Sequence, residues 1–250
     1  MELTSKKYWQ DYYEASSEDR ESIIKVCSNY DFFWEMMVKS CQESPKSILE
    51  IGAFPGRYLA YLASRFNLQP TGLDFNPDKE KFSRSLLAMG VTEFEYICTD
   101  FLAHKPEQQF DLVISNGFIE HFTNYNEVLD KHAAYLKKGG AMLVMIPNKR
   151  FIRSFYGNLV DRKNQQAHNL RSMKLSVFEN FALRNRLTIK FLDYHGGFPY
   201  KVHGPLNFFQ KLLYHPVRFL ATSFNQFIKR NPSRWWSSVI ICVCYSEEKT

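Results

Sequence analysis

Short apolar runs alternate along the chain with stretches in which apolar residues recur at helical spacing. A run of about four to eight apolar residues is typical of a buried strand, whereas helical spacing is typical of an amphipathic helix. The runs predict strands at 47–53, 70–75, 94–100, 110–116, 141–147, 187–194 and 238–246. The amphipathic stretches predict two helices within 5–42 and further helices at 56–66, 77–90, 124–140 and 176–186. Such alternation predicts an α/β fold, a parallel sheet with helices on both faces.

The turn between the first strand and the helix that follows it reads "EIGAFPGRY" (50–58). Gly52 and Gly56 would let the backbone turn tightly and come close to a ligand. A dinucleotide-binding turn has the spacing G-x-G-x-x-G, but here the spacing is G-x-x-x-G, with Phe54 at the place of the middle glycine. The spacing therefore argues against a phosphate-binding loop and against a nicotinamide-dependent oxidoreductase.

Three acids stand at the ends of the first three predicted strands: Glu50, Asp74 and Asp100. The carboxyl ends of parallel strands meet at one edge of a sheet, which is where α/β proteins bind their ligands. A carboxylate at the end of the second strand suits the two hydroxyls of a ribose, and one at the end of the third can accept a hydrogen bond from an adenine amino group. Phe75 and Phe101 directly follow two of these acids and could flank a purine ring. The pattern predicts an adenosine site.

Five segments resemble the class I S-adenosylmethionine-dependent methyltransferases in order and spacing: "LEIGAFPGRYL", "GLDFNPD", "CTDFLAH", "FDLVISNGFIEHF" and "YLKKGGAMLVMIPN". The resemblance covers roughly residues 45–150 and, more loosely, the final pair of strands. It implies S-adenosyl-L-methionine as the cofactor. It also implies a Rossmann-like, doubly wound sheet of seven strands whose last strand runs antiparallel.

The resemblance assigns a role to each candidate cofactor residue. It implies that Glu50 and Asn116 lie at the methionine end, that Asp74 holds the ribose and that Asp100 holds the adenine. The remaining candidates are the turn residues Gly52, Ala53, Phe54 and Gly56 and the two aromatic residues Phe75 and Phe101.

Phe54 is where the chain departs from the family's pattern. A phenylalanine adds bulk and disfavours positive φ. Pro55 favours an extended backbone for the residue before it, and no phosphate has to fit against this turn, so we expect Phe54 to be tolerated. The alternative is a non-catalytic nucleotide-binding or scaffold protein whose cofactor loop has degenerated.

No repeat or linker divides the chain, so a single domain over 1–250 is predicted. Within it we expect a helical cap (1–45) and a cofactor-binding core (46–147). Two segments, 148–175 and 195–237, leave from the carboxyl ends of their strands and are predicted to form lids on the acceptor side, the second as a helical insert before the last strand.

Charge is distributed unequally between the two parts of the chain. Residues 1–146 hold 15 Lys/Arg and 21 Asp/Glu, whereas residues 147–250 hold 17 Lys/Arg and 5 Asp/Glu. Because both predicted lid segments are basic, an anionic small-molecule or sugar/glycan acceptor is expected, including one linked to a lipid. A solvated basic surface without a ligand is the alternative. Nucleic acid is not expected as a partner, since no recognition module is recognisable.

His121 follows the fourth predicted strand, on the side where this family places acceptor residues, and is the candidate catalytic base for transfer to oxygen. Glu120 could orient it, and the alternative is a histidine that only packs or caps. His168, His195 and His203 are weaker candidates because they lie in variable segments. The five cysteines form no CxxC pair, and no metal site is predicted.

The insert carries an apolar stripe at helical spacing within 204–230, with a break expected near Pro216. We favour a lid packed on the domain over an amphipathic helix on an anionic membrane.

No apolar stretch follows the first lysines, and the run at 239–245 is far shorter than the ~20 residues of a membrane-spanning helix. A cytoplasmic protein is therefore expected, with peripheral contact at the inner membrane face through 204–230 as an option.

Overall fold

The computed structural model describes residues 3–4, 8–9, 13, 17–202 and 204–247. Its sheet has seven strands in the order β3-β2-β1-β4-β5-β7-β6. They are β1 (Ser47–Ile51), β2 (Gln69–Asp74), β3 (Glu95–Cys98), β4 (Phe110–Asn116), β5 (Leu136–Pro147), β6 (Leu187–His195) and β7 (Val239–Ser246). β7 runs antiparallel to both of its neighbours, and the remaining pairs are parallel. The predicted Rossmann-like sheet with a reversed last strand is confirmed.

Helices cover both faces of this sheet. In the described residues they are α1 (Arg20–Cys27), α2 (Asp31–Ser40), α3 (Arg57–Phe66), α4 (Lys79–Ala88), α5 (Tyr125–Ala133), α6 (Phe151–Val160), α7 (Arg162–Gln166), α8 (Leu175–Asn185), α9 (Phe208–Ser223) and α10 (Asn225–Arg230). Short 3₁₀ turns occur at Ser28–Tyr30 and Ile119–His121. The helical cap predicted at 1–45 includes α1 and α2, and much of its first part lies outside the described residues.

Two apolar clusters hold the helices to the sheet, one on each face. Successive strand residues point to opposite faces, so Ile48 joins the cluster under α1–α4 while Leu49 joins the cluster under α5 and α8. On the first face Trp34 and Phe82 are fully buried, and on the second Phe178 is. Because both faces of the central strands are covered, these strands read as continuous apolar runs and not as alternating ones.

The prediction that one helix covers 124–140 is wrong at its end. α5 stops at Ala133, and Leu136 already pairs with Phe110 as the first residue of β5. The pairing is irregular between Phe110 and Leu112, and a Cβ on Gly140 would lie 2.7 Å from the carbonyl oxygen of Asp111. Gly140 is therefore needed because the two strands approach closely at this point. In the sequence, a glycine at this position is equally typical of the end of a helix.

The stretch after β5, for which the sequence predicts a lid segment but no helix, contains α6 and α7. Its helical periodicity was hidden because the buried face of α6 includes Arg153 and Gly157 beside Tyr156 and Val160. The expected break near Pro216 is also wrong, since α9 continues through this proline. None of the helices in the described ranges has both the length and the apolar character that crossing a membrane requires.

Asp111 connects β4 to both neighbouring strands at the amino-terminal edge of the sheet. One of its oxygens accepts hydrogen bonds from the backbone N–H groups of Lys46 and Ser47, each at 2.9 Å, and the other is 2.9 Å from Lys137 Nζ. Burial by itself would raise the pKa of this carboxyl, but Lys137 and the backbone donors lower it to about 2.

We predict that Asp111→Asn destabilises the protein at pH 7 by about 1–2 kcal/mol, because it removes charge-assisted hydrogen bonds. Since the folded pKa lies below the unfolded one, this stabilisation is complete above pH 4 and is lost as the pH falls from about 4 to about 2. Urea unfolding across this range measures it. Glu107→Gln, at an exposed acid before β4, is the control, and an equal effect of both substitutions would contradict the prediction.

Candidate active site

A cavity with two joined lobes lies at the carboxyl ends of the strands. The inner lobe, about 620 Å³, is bounded by the ends of β2 and β3, and the outer lobe, about 1100 Å³, by the ends of β1, β4 and β5. Gly52, Gly117 and His121 line both lobes. The topology thus places the candidate residues from separate parts of the chain around one continuous space.

The turn between β1 and α3 requires its two glycines. Gly52 has φ +72° and Gly56 has φ +91°, both in the left-handed region that side chains disfavour. A Cβ on Gly52 would also lie only 2.6 Å from Cδ2 of Phe118. The turn therefore brings bare backbone against the cavity, as the sequence predicts, and the ring of Phe118 covers it.

Phe54 is accommodated in this turn. Its φ is not positive, its side chain is buried, and its ring packs edge-on against Tyr13 with a centroid distance of 5.1 Å. Its backbone N–H donates to Oδ2 of Asp74 at 3.1 Å. Ala53, also buried, belongs to the apolar cluster on this face of the sheet. The residue that departs from the family's pattern thus helps to hold the strand-two acid.

The inner lobe contains the two predicted adenosine acids. Asp74 also accepts the N–H of Asn76 at 2.9 Å, and its burial raises the pKa of its carboxyl in spite of these hydrogen bonds. Asp100 is exposed at the rim, where it accepts the N–H of Leu102 at 2.8 Å. Phe75 is half-buried on the lobe wall, whereas Phe101 is buried beneath it. The four predicted residues therefore share one lobe.

Glu50 is in the outer lobe and is only 2% exposed. Its carboxylate accepts the N–H of Leu59 at 3.0 Å and Nδ2 of Asn116 at 3.2 Å. Burial raises the pKa of Glu50 to about 8, although both hydrogen bonds act to lower it. Oδ1 of Asn116 is buried and has no hydrogen-bond partner in the described residues. A buried acid beside an unsatisfied carbonyl oxygen suits the ammonium group of an amino-acid ligand.

His121 lies between the two lobes and is 4% exposed. Its Nδ1 is 2.9 Å from the carbonyl oxygen of Ala167, which fixes the proton on Nδ1 and leaves Nε2 as an acceptor. Burial lowers the pKa of this imidazole to about 4, so the ring is neutral near pH 7. Nε2 is 3.6 Å from Oε1 of Glu120. A neutral imidazole on the cavity wall, with one nitrogen left as an acceptor, can take up a proton.

Lys149 and Asn164 also line the outer lobe, although no motif in the sequence indicates them. Nζ of Lys149 donates to Oδ1 of Asn164 at 2.7 Å, and burial lowers the pKa of this lysine to about 7. Burial also raises the pKa of Glu120 to about 8. The basic character of 148–175 was the only signal in the sequence, and it did not distinguish Lys149 from its exposed neighbours.

The weaker histidine candidates lie in different places. The ring of His168 is 4.5 Å from that of His121, and Glu120, His121 and His168 bring potential ligand atoms within 4.8 Å of one another. His195 instead packs edge-on against Phe33 at 4.8 Å, and His203 lies outside the described residues. Of the two predicted lid segments, 148–175 lines the outer lobe, and no described residue of 195–237 does.

Comparisons with known proteins agree with this geometry. The model of a family described as a methyltransferase domain matches residues 20–210. A ubiquinone biosynthesis O-methyltransferase of Bradyrhizobium sp. (strain ORS 278) is 29% identical over 104 residues, which are 42% of this chain and 41% of that protein. A malonyl-[acyl-carrier protein] O-methyltransferase of Acetivibrio thermocellus is 21% identical over 180 residues, or 72% and 60% of the two chains. The chain thus spans about half the length of the curated relatives it matches.

The fold is also similar to that of solved structures. The plantazolicin methyltransferase BpumL, solved in complex with SAH, superposes with a TM-score of 0.58 at 17% sequence identity. The superposition covers 96% of this chain and 90% of that one. At this level of identity the likeness concerns the fold.

We predict micromolar binding of S-adenosylhomocysteine to the wild-type protein and at least tenfold weaker binding to Asp74→Ala, because the substitution removes the acceptor for the ribose hydroxyls. Calorimetric titration of protein freed of bound cofactor measures both. Asp78→Ala, at the cap of α4, is the control, and a folded wild-type protein that gives no heat would favour the scaffold alternative.

We predict that Glu50→Gln becomes increasingly stabilising, relative to the wild type, as the pH rises from about 4.5 to about 8. The raised pKa means that the folded protein holds this proton more tightly than the unfolded chain, so the wild type loses stability over this range. The relative gain should approach about 1.4 kcal/mol for each pH unit. Urea unfolding of cofactor-free protein measures it, and a pH-independent difference would contradict it.

Proposed function

Because the chain belongs to the methyltransferase-domain family, whose cofactor is S-adenosyl-L-methionine, we propose that it methylates an oxygen of an anionic small-molecule or glycan acceptor. The observation that carries this proposal is the junction of the two lobes at His121. An imidazole kept neutral by burial faces a space that also contains the glycine turn and the acid Glu50.

The cofactor residues belong to the same proposal. Asp74 and Asp100 would hold the ribose and the adenine, and Glu50 with Asn116 would hold the ammonium end. When bound, the cofactor supplies an electrophilic methyl group on a sulfonium. Two features support the fit of the cofactor to this cavity: the bare backbone at Gly52 and the unsatisfied Oδ1 of Asn116.

Transfer to oxygen is supported by the position of His121 on the wall of both lobes. A hydroxyl must lose its proton as it attacks, and a positioned base contributes typically about 10²–10⁴-fold to such a step. Nε2 of His121 would take this proton, and Oε1 of Glu120 lies 3.6 Å from this nitrogen. Two of the relatives matched by the chain are named O-methyltransferases.

An anionic acceptor is supported by Lys149. Its Nζ lies at the wall of the outer lobe, held by Asn164, and a partly desolvated ammonium binds a carboxylate or phosphate more strongly than an exposed one does. The proposal extends to an acceptor linked to a lipid and to peripheral contact of 204–230 with the inner face of a membrane. The basic and apolar composition of that segment supports both.

We predict that His121→Asn lowers kcat for a hydroxyl acceptor by about 100-fold or more, while S-adenosylhomocysteine affinity changes by less than about threefold. The substitution removes the base but keeps a polar side chain of smaller volume. Transfer of labelled methyl to a panel of hydroxylated carboxylates and sugar phosphates measures the rate. His215→Asn, at an exposed position on α9, is the control. An unchanged kcat in the His121 variant would exclude this residue as the base.

A further inference from the structure

Helix α9 has apolar side chains on its solvent-facing side as well as on the side that packs against the domain. Only Ala221 of its residues is buried. At ~100° per residue, the side chains that point away from the domain fall within one sector of ~120°. Their exposed fractions are 70% for Phe208, 79% for Phe209, 60% for Leu212, 68% for Phe219 and 53% for Leu220. A surface helix normally turns such a sector toward a partner.

Neighbouring elements extend this apolar surface. Of the 17 large apolar side chains that are exposed in the described residues, 11 lie on α6 or between the start of α9 and Trp235. We call this set the apolar face: Ile152, Phe155, Leu159, Phe208, Phe209, Leu212, Phe219, Leu220, Phe224, Phe227 and Trp235. A groove of about 920 Å³ between α6 and α9, lined by apolar side chains, runs along it. Exposed apolar side chains concentrated on neighbouring elements in this way mark an interaction site.

The apolar face is rimmed by cations. Lys211 and Arg218 lie on the flank of α9 beside the apolar sector, and Lys229 and Arg230 end α10. No acid occurs between Tyr194 and Ser246. An apolar sector beside a basic one is the pattern of a helix that lies in the interface of an anionic bilayer.

One edge of the face carries a mixed aromatic and cationic group. The ring of Trp235, 44% exposed, is 4.6 Å from that of Phe151, and the guanidinium of Arg234 is 5.2 Å from the indole. Tryptophan and arginine together suit the headgroup level of a membrane, where one side of each group is apolar and the other is wet.

The helix is also held in this outward position. Nε2 of Gln210 donates to the carbonyl oxygen of Leu159 at 3.1 Å, which fixes the start of α9 to the end of α6. The hydroxyl of Tyr156 donates to the carbonyl oxygen of Tyr200 at 2.8 Å and fixes the preceding segment. The apolar sector is thus presented to solvent while the described lining of the outer lobe contains none of it.

We propose that the apolar face docks on the surface of an anionic lipid bilayer, with α9 lying along the interface. A second copy of the chain is disfavoured as the occupant, because a symmetric contact would oppose the cations of one copy to those of the other without an acid between them. None of the residues of the apolar face lines either lobe, so docking on lipid can succeed or fail independently of methyl transfer.

The test is flotation with vesicles of phosphatidylcholine containing phosphatidylglycerol, at low salt, on the full chain. The wild type should float, and Phe209→Ser/Phe219→Ser should bind about tenfold or more weakly, because two exposed aromatic rings lose their burial in the interface. Lys211→Glu/Arg218→Glu should weaken binding at low salt and have less effect at 0.5 M salt. Leu183→Ser, 79% exposed on α8 away from this face, is the matched control.

Each contrary result overturns the proposal. A wild type that fails to float at low salt, or that floats equally on pure phosphatidylcholine, excludes docking on anionic lipid. An equal loss in Leu183→Ser excludes the apolar face as the contact. A dimer in sedimentation that dissociates in Phe209→Ser/Phe219→Ser, without flotation of the wild type, assigns the face to a second copy. Circular dichroism and binding of S-adenosylhomocysteine verify that each variant is folded.

Discussion

The buried carboxyl of Glu50 holds together the elements that form the wall of the cavity. Its hydrogen bonds to Leu59 and Asn116 connect the end of β1 to the first turn of α3 and to the end of β4. A buried acid of this kind costs several kcal/mol unless it is protonated or paired. Burial therefore favours the protonated acid, and a cationic group bound beside Glu50 would lower its pKa again.

Much of the fold could be predicted because the information is local. The strands are buried on both faces, so they appear in the sequence as short apolar runs, and the three acids are visible because each directly follows such a run. Leu136–Gly140 could not be assigned from local pattern, since a glycine near a helix end and a glycine required by strand contact look the same. In the structure, Gly140 packs against the backbone of Asp111, so this glycine belongs to a strand and not to the end of a helix.

The residues missed at the site were missed for a related reason. Lys149 and Asn164 come from the end of β5 and from α7, and they meet at the outer lobe only through tertiary structure. A lysine in a basic stretch carries no signal that it will be buried. The placement of His121 was easier to predict, because a residue just past a strand must lie near the carboxyl edge of the sheet.

Phe54 shows what a pattern mismatch does and does not imply. The missing glycine suggests a loss of backbone freedom, yet the backbone at this position needs no positive φ. The ring of Phe54 packs against Tyr13, and its backbone N–H donates a hydrogen bond to Asp74. A turn can therefore keep its hydrogen bonds while it loses the residue by which the family is usually recognised.

The contact between Phe118 and Gly52 has a consequence for the wall of the cavity. Phe118 lies in the same short turn as His121, and its ring rests where a side chain at Gly52 would be. A ligand that binds against the glycine turn would therefore also contact the turn that carries the imidazole. The two halves of the cavity wall thus meet at one aromatic ring, and a change of side chain at Phe118 would alter both of them.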